Sequence, residues 1–433
     1  MSRRYHLSLV VGLLGLMLLV VAVPVVGSAE TSKSHAGTTI TVLSAPGPGI
    51  MPPVLEEFQK KTGIKVNYSE MAIPSLHSKL ATLFAAGSSD VDVVWTYSAW
   101  TAEFGSAGYL EPLGDKISED LKKDLIPGAL EAVSYKGVLY GLPRFLSIRS
   151  FFYNKQMFRE AGLNPDQPPK TWEEFKKAAI ALTRDKNGDG KADQWGFLSE
   201  YGSPNNCVMA FEMPLYLNDG HMFDKDDSVL FNDARGVKAL SELVELHKLG
   251  VVDPASMGIA SGTDKVTRFV SGLVGMQFGW ANTYAFANDP QKSKMVGQLG
   301  FGLIPRILDH TATVGGSEGY AIPKSSKKKE AALEFLEFVA SKESQKGIAM
   351  RTGWMPVRYS VFEDREVQRA LPLSKVVAEQ AKYRADRFAA PYAQEVIDSL
   401  GPEILAAVKG IKSPKQALDD AAAKAKQIVA KYK

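Results

Sequence analysis

The sequence predicts an α/β fold divided into two lobes, and three observations support this prediction. The chain has 433 residues, which is more than one hydrophobic core usually organises. Strand and helix patterns alternate over residues 39–95, an order typical of a doubly wound sheet flanked by helices. A similar alternation restarts after residue 170, with no long low-complexity linker before it. We therefore expect two lobes that pack side by side and share crossover segments.

The elements of the first lobe follow one another at short intervals. Two prolines open a first helix, and an apolar stripe at helical spacing marks a second. The last strand is almost continuously apolar, as expected of a parallel strand covered on both faces. In order, the predicted elements are a strand over 39–43, a helix from Pro52 to Gly63, a strand over 64–68, a helix whose buried stripe is Leu76, Leu80, Leu83 and Phe84, and a strand over 91–95.

The second half of the chain carries a clear helix start. Thr171 and Glu174 form a capping box, and a core stripe follows it at Phe175, Ala178, Ala179 and Leu182. Strands are predicted over 273–278, 301–304 and 320–322, and a final helix begins at Ser413. The glycine-rich stretch 315–319 is predicted as a turn beside a ligand cleft.

The first 29 residues predict a secretory signal peptide. Arg3 and Arg4 give a positive start, residues 7–26 are almost entirely apolar, and small residues lead to Ala29. This order is typical of a cleaved leader, although the apolar stretch is also about long enough to serve as a membrane anchor. We expect cleavage after Ala29, by the general or the twin-arginine route, and a soluble protein in the periplasm.

Composition argues against several classes of function. The chain has 51 Lys and Arg residues against 48 Asp and Glu, and its net charge is +3. Nucleic-acid-binding proteins concentrate surplus cations, so no nucleic-acid partner is expected. Cys207 is the only cysteine, which excludes an internal disulfide and a four-cysteine zinc site. The six histidines form no metal-binding pair, and no cofactor is expected to be required.

One loop resembles a calcium-binding loop. Asp185, Asn187 and Asp189 occupy its first three ligand positions, and Lys191 and Asp193 occupy the seventh and ninth. The twelfth position is Gly196 rather than a bidentate glutamate. The loop therefore predicts a structural Ca²⁺ site, and a turn held by its own Asp and Asn side chains is the alternative.

Aromatic residues gather where predicted strands end. Trp95, Tyr97 and Trp100 cluster at the end of the third strand, and Trp280 follows a later one. Ligands of open α/β sheets bind at the carboxyl ends of strands, and aromatic faces stack on the apolar faces of sugars. The group therefore predicts a sugar-binding cleft, with core packing as the alternative for any single ring.

A set of phrases, in order along the chain, is similar to the extracellular solute-binding proteins of family 1, the maltose-binding-protein type that serves ABC importers. They lie at 91–113, 135–145, 151–163, 168–175, 182–197, 276–280 and 353–362. The resemblance implies a class II periplasmic-binding-protein fold with a ligand cleft between the lobes. It implies an N-terminal lobe of 38–145 plus 307–352, and a C-terminal lobe of 146–306 plus 353–433.

The same resemblance implies a function without bond chemistry. The partners would be a small solute (a sugar, oligosaccharide or polyol) and the transmembrane subunits of an ABC permease, and the protein would be a monomer. An exported carbohydrate-active enzyme with an aromatic groove is the alternative. The implied ligand-binding residues are Trp95, Tyr97, Ser98, Trp100, Arg144, Phe145, Ser147, Trp280, Asn282, Gly316, Ser317 and Trp354.

The chain departs from the family pattern in the loop after the third strand. Ser98 and Ala99 stand where many sugar binders carry an acidic residue, so the ligand is expected either to be less polar or to be bound differently at this loop. Four arginines keep an acidic or phosphate-bearing ligand open: Arg144, Arg149, Arg351 and Arg358.

Overall fold

The computed structural model describes residues 35–47, 51–385 and 388–433. The predicted signal peptide, residues 1–29, lies outside the described residues. Over the described ranges, no helix combines the length and the apolar character needed to cross a membrane.

Eleven strands and eighteen α-helices occupy the described residues. The strands are β1 (Thr39–Ser44), β2 (Lys65–Glu70), β3 (Val93–Tyr97), β4 (Ser134–Tyr135), β5 (Val138–Leu139), β6 (Gly141–Asn154), β7 (Trp195–Leu198), β8 (Val274–Trp280), β9 (Leu299–Gly302), β10 (Thr313–Ala321) and β11 (Arg384–Ala385). The first nine helices are α1 (Met51–Thr62), α2 (Ile73–Ala85), α3 (Ser98–Ser106), α4 (Glu119–Asp124), α5 (Pro127–Glu131), α6 (Lys155–Glu160), α7 (Trp172–Leu182), α8 (Pro204–Leu217) and α9 (Ala234–Lys248). The remaining nine are α10 (Gly262–Arg268), α11 (Thr283–Asn288), α12 (Lys329–Val339), α13 (Lys342–Thr352), α14 (Tyr359–Phe362), α15 (Arg365–Ala370), α16 (Ser374–Ala381), α17 (Ala393–Val408) and α18 (Pro414–Ala430).

The long strand β6 joins two groups of strands. All 14 of its residues are buried. Its first part, up to Ile148, pairs antiparallel with β10, which also pairs with β3. From Arg149 onwards β6 pairs with β8 and β9. The strand order is β2-β1-β3-β10-β6-β8-β7. The predicted lobe boundary between residues 145 and 146 stays a prediction, and it lies three residues from this change of partner.

Local signals in the sequence identified several elements correctly. The capping box forms as predicted, because the Thr171 hydroxyl accepts from the Glu174 N–H and the Glu174 carboxylate accepts from the Thr171 N–H. All four stripe residues of α7 are buried, and Ser413 caps α18. In α2 the stripe is buried except for Leu83, which is half-buried. The strand expected over 301–304 lies instead at Leu299–Gly302.

The stretch 315–319 is not the turn that the sequence analysis predicted. It lies inside strand β10, where all five residues pair with β6, and Glu318 and Gly319 also pair with β3. Gly315 has a φ of +140°, and a Cβ atom there would lie 2.1 Å from the carbonyl oxygen of Ser147. The glycine therefore permits close approach of β10 to β6 rather than a change of chain direction.

The last two helices complete the second group of elements. Helices α17 and α18 pack on each other and on α8 and α9, and they share one buried cluster of apolar side chains. The N-terminal part of α17 also reaches α3. This placement brings a C-terminal helix against the end of β3, where the predicted binding residues begin.

Candidate functional site

The end of β3 forms one wall of the candidate site. Strand β3 ends at Tyr97, and α3 begins at Ser98 without an intervening loop. Trp95 is buried, whereas Tyr97 and Ser98 are half-buried. The Tyr97 hydroxyl donates to Oε1 of Gln394 on α17 at 3.1 Å. The strand end therefore contacts the C-terminal helices directly.

Trp100 lies in the core rather than on this wall. Its side chain is fully buried, and its ring centroid is 5.0 Å from that of Trp95 and 5.1 Å from that of His77. Phe104 closes the same aromatic cluster. Trp100 is the third residue of α3, and this position in the first turn points the ring back under the helix instead of into the cleft. This placement revises the prediction that the Trp100 ring stacks on a ligand.

Arg144 enters the site through an irregularity in the β6–β10 ladder. Gly319 pairs with Pro143 and Glu318 pairs with Phe145, so Arg144 is an extra residue between two pairs. A bulge of this kind re-aims a side chain. The Arg144 guanidinium is 1% exposed, donates to Glu318 at 2.6 Å and lies 3.3 Å from the Tyr320 hydroxyl. Its charge is therefore already matched by a carboxylate.

Phe145, on β6, and Trp354 form an aromatic pair. Their ring centroids are 4.2 Å apart and their planes differ by 24°. Phe145 is buried, whereas Trp354 is half-buried. The next residue, Met355, bridges to Leu146 of β6. The pair thus ties the 353–357 segment to the strand that passes between the two groups of strands.

Three further predicted residues belong to the interior of the β6–β10 pair. Ser147 faces Gly316 across the ladder. Ser317 is buried, and its hydroxyl donates to the Phe145 carbonyl at 2.5 Å. Gly316 is half-buried, and a Cβ atom there would lie 3.3 Å from the Cβ of Ala132. In this conformation the Ser317 hydroxyl is used in a hydrogen bond to the backbone. Gly316 has no side chain, so it leaves space and contributes no polar side-chain group.

Trp280 lies at the end of another strand of the sheet, β8. It is the last residue of β8 and is half-buried, and Asn282 follows it, half-buried, before α11. The guanidinium carbon of Arg149 lies 4.9 Å from the Trp280 ring centroid. This cation–π contact fixes the inner face of the ring. The indole is therefore held in place before any solute arrives.

A buried charge cluster, here called the triad, lies behind Trp280 and consists of Arg149, Glu200 and Lys265. Their side chains are 2%, 2% and 4% exposed. Glu200 pairs with Arg149 and accepts from Lys265 Nζ at 3.2 Å. Lys265 also donates to the Phe278 carbonyl at 2.7 Å. One carboxylate thus holds two buried cations.

The triad shifts the titration of its members. Burial alone would raise the pKa of Glu200, but the charges of Arg149 and Lys265 hold that pKa below its ordinary value. Burial lowers the pKa of Lys265 to about 8, although Glu200 opposes this effect. Glu200 therefore stays ionised near neutral pH and supplies the counter-charge of the cluster.

Four arginines were named as possible partners of an acidic ligand, and they differ in whether a carboxylate of the protein already pairs with them. Arg144 pairs with Glu318 and Arg149 with Glu200. Arg358 donates to Asp124 at 2.7 Å. Arg351 is exposed on α13. Three of the four charges are thus already matched by carboxylates.

The candidate calcium loop is folded around its own backbone. Asp185 accepts from the N–H groups of Gly188 and Gly190, at 2.6 and 2.7 Å, and Asp193 accepts from those of Lys186 and Asn187. Nowhere in the described ranges do three or more His, Cys, Asp or Glu residues stand together as a metal site. The carboxylates of Asp185 and Asp193 thus accept hydrogen bonds from backbone N–H groups of the loop itself. Calcium binding here stays a prediction from the sequence.

Sequence reasoning missed the acidic members of the site. Glu318 and Glu200 each lie beside an arginine that is distant along the chain, and Gln394 comes from a helix about 300 residues after Tyr97. Only strand register and helix packing bring these pairs together. Because side chains alternate along a strand, Glu318 and Tyr320 lie on the same face of β10. This alternation does not show which strands lie next to β10.

The chain is similar in sequence to known bacterial solute-binding proteins. A family model described as bacterial extracellular solute-binding protein matches residues 54–373. A probable amino-acid ABC transporter periplasmic-binding protein of Sinorhizobium fredii is 26% identical over 407 residues, which is 91% of this chain and 90% of the relative. The mannitol-binding protein of Pseudomonas aeruginosa is 28% identical over 320 residues, and the match covers 71% of this chain and 70% of that protein.

A solved structure agrees with the observed fold. The ABC transporter solute-binding protein of Agrobacterium radiobacter K84, in complex with ribitol, superposes with a TM-score of 0.82. It is 24% identical, and the match covers 91% of this chain and 99% of that one. The likeness confirms the two-lobed α/β fold that the sequence analysis predicted.

Proposed function

The chain belongs to the bacterial extracellular solute-binding protein family, and on that premise we propose that it is the receptor of an ABC importer for a small sugar or polyol. The observation that carries the proposal is that aromatic side chains from distant parts of the chain lie on or against adjoining strands of one sheet. Tyr97 contacts α17, Trp280 ends β8, and Trp354 stacks on the strand between them. Aromatic faces set around a cleft are suited to the apolar faces of sugars and polyols.

Lobe closure accounts for capture without bond chemistry. A solute that touches Tyr97 on one side and Trp280 on the other stabilises the conformation in which these walls are close. Only this difference in affinity between open and closed forms drives the closure. The transmembrane subunits of the permease would then receive the solute from the closed form. We propose that the protein works as a soluble monomer in the periplasm after signal-peptide removal.

The carbohydrate-active enzyme is not favoured by the site. A glycosidase needs two carboxyl groups that flank the scissile bond, one of them as a general acid. Glu200 is buried in an ion pair that lowers its pKa, and Glu318 is paired with Arg144. The matching relatives are transport receptors rather than hydrolases. We therefore propose reversible binding and no turnover.

The choice between a sugar and an amino acid rests on the same residues. One relative is described as an amino-acid receptor and another as a mannitol receptor. An amino acid needs a counter-ion for its carboxylate, but Arg144 and Arg149 are already matched by Glu318 and Glu200. The unmatched arginine, Arg351, lies exposed on α13. An uncharged hydroxyl-bearing solute makes no such demand. The proposal therefore names a sugar or polyol.

Replacing Trp280 with alanine should weaken binding of the sugar or polyol that wild type binds best. An aromatic anchor of this kind is worth on the order of 2–4 kcal/mol, which corresponds to about 30- to 1,000-fold in Kd. Calorimetric titration gives the Kd, and intrinsic tryptophan fluorescence should respond to the solute in wild type.

Trp195→Ala is the matched control. Trp195 is also half-buried beside an arginine, Arg268 at 5.5 Å, but it begins β7 instead of ending β8. It should bind the solute as wild type does. Equal affinity of Trp280→Ala and wild type would remove Trp280 from the binding site.

A further inference from the structure

We propose that Glu318 is a specificity-determining residue of the cleft, and that it selects uncharged polyhydroxy solutes by accepting a hydroxyl hydrogen bond. The inference rests on the proposed function, because it names the solute class of that same site. It assigns hydroxyl recognition to β10, whereas the loop after β3 carries Ser98 and Ala99 in place of an acidic residue.

The Glu318 carboxylate is anchored through one oxygen. Oε2 accepts from Trp95 Nε1 at 3.1 Å and from Arg144 Nη2 at 2.6 Å. Oε1 receives no hydrogen bond from the part of the chain that the structure describes. An ionised carboxylate has about four acceptor sites over its two oxygens. The group thus holds unused acceptor capacity on its second oxygen.

The two anchoring groups are buried, but Glu318 is not. Trp95 is 2% exposed and the Arg144 side chain 1%, whereas 28% of the Glu318 side chain is exposed. The carboxylate is therefore held rigidly from the protein side. A recognition group that is fixed before binding loses less entropy when the solute arrives.

The position of Glu318 places it among the aromatic walls. In the sheet it stands opposite Tyr97 on one side and Phe145 on the other. Tyr97 reaches α17, and Phe145 stacks on Trp354. Phe145 is itself buried, so a solute would contact the half-buried Tyr97 ring, which stands directly opposite Glu318. Rings and carboxylate together suit a molecule with apolar C–H faces and hydroxyl edges.

The charge of the carboxylate sets the preference between solutes. A carboxylate only accepts hydrogen bonds, so a hydroxyl group satisfies it and an anionic group does not. The buried Arg144 side chain balances the charge of Glu318 through Oε2. Its donors are directed at Glu318 and Tyr320 and not at a bound solute. A phosphate ester of a polyol would place like charges together. The site should therefore prefer the free polyol.

The first arm of the test uses wild-type protein and a defined panel. Ribitol, D-mannitol and maltose are titrated beside ribitol 5-phosphate, mannitol 1-phosphate and a set of amino acids. We expect a neutral polyol or sugar to bind, and its phosphate ester to bind at least about tenfold more weakly. Tighter binding of the ester than of the parent polyol would overturn the assignment of Glu318.

The second arm compares Glu318→Ala and Glu318→Gln with wild type on the neutral solute that binds best. A hydrogen bond to a charged group contributes about 1.5–3 kcal/mol, so each variant should bind about 10- to 150-fold more weakly. Glu318→Gln keeps an oxygen that can accept from Trp95 and Arg144. It therefore tests the inference in a folded protein even if Glu318→Ala does not fold. Glu111→Gln is the control, because Glu111 pairs with Lys116 and Lys329 outside the cleft.

The outcomes separate the inference from the function on which it rests. If wild type binds a neutral solute and both folded Glu318 variants bind it equally well, the inference is wrong and the receptor function stands. If wild type binds an amino acid and no sugar or polyol, or nothing in the panel, the proposed solute class itself fails. Weakened binding by both variants with unchanged Glu111→Gln supports the inference.

Discussion

Glu200→Ala should lower the free energy of unfolding by about 3–5 kcal/mol, because it leaves two buried cations without their counter-charge. Arg149 and Lys265 are 2% and 4% exposed and both contact Glu200. Neither can recover its lost interaction from water. Urea titration followed by circular dichroism measures the change in the free energy of unfolding. One of the two cations, Arg149, lies directly behind the Trp280 ring.

Glu403→Ala is the matched control for this variant. Glu403 also holds two lysines, Lys412 and Lys424, but their side chains are 27% and 54% exposed. Water replaces the lost partner there, so the expected loss is at most about 1 kcal/mol. A loss at Glu200 no larger than the loss at Glu403 would contradict the buried, charge-balanced description of the triad.

The pH dependence of stability provides a second readout of the same carboxylate. The folded-state pKa of Glu200 is lowered from its ordinary value of 4.5 by its two cations, against the effect of burial. Its stabilising contribution is therefore present above the unfolded-state pKa and is lost as pH falls through the lower folded-state value. The Glu200→Ala variant should lack this part of the acid sensitivity.

Trp100→Ala should lower the free energy of unfolding by about 3–5 kcal/mol, the usual cost of removing a large core ring. The side chain is fully buried and contacts the rings of His77, Trp95, Tyr97 and Phe104. Its removal leaves a cavity under the N-terminal turn of α3. Thermal and urea unfolding measure the loss.

Trp100→Phe keeps an aromatic ring and serves as the comparison. It should lose clearly less stability than Trp100→Ala, and its solute affinity should stay near that of wild type. A Trp100→Ala protein as stable as wild type but unable to bind would return Trp100 to the ligand-facing set that the sequence predicted.

Much of the fold could be predicted from local signals. The Thr171–Glu174 capping box and the α7 stripe involve residues within about three turns of one helix, so sequence spacing is enough to find them. The glycine-rich part of strand β10 could not be predicted in the same way. Gly315 is indistinguishable from a turn glycine until β6 lies against it. Contacts of this kind depend on register between strands that are distant along the chain.

The site shows the same division. Trp280 at a strand end was found from the sequence, because the ends of strands are marked by local composition. Trp100 was predicted for the cleft because it follows strand β3, yet its position in the first turn of α3 places it in the core. Glu318 was missed, because its role depends on an arginine displaced by a bulge in another strand.

Isothermal titration calorimetry of wild-type protein with ribitol, D-mannitol and maltose tests the proposed receptor function most directly. A receptor that closes on its solute gives saturable heat with a one-to-one stoichiometry, and the signal returns to baseline after each injection. We expect this result for at least one of the three solutes. Heat flow that continues at a steady rate after an injection would reveal turnover and contradict the proposal, as would the absence of binding to all three.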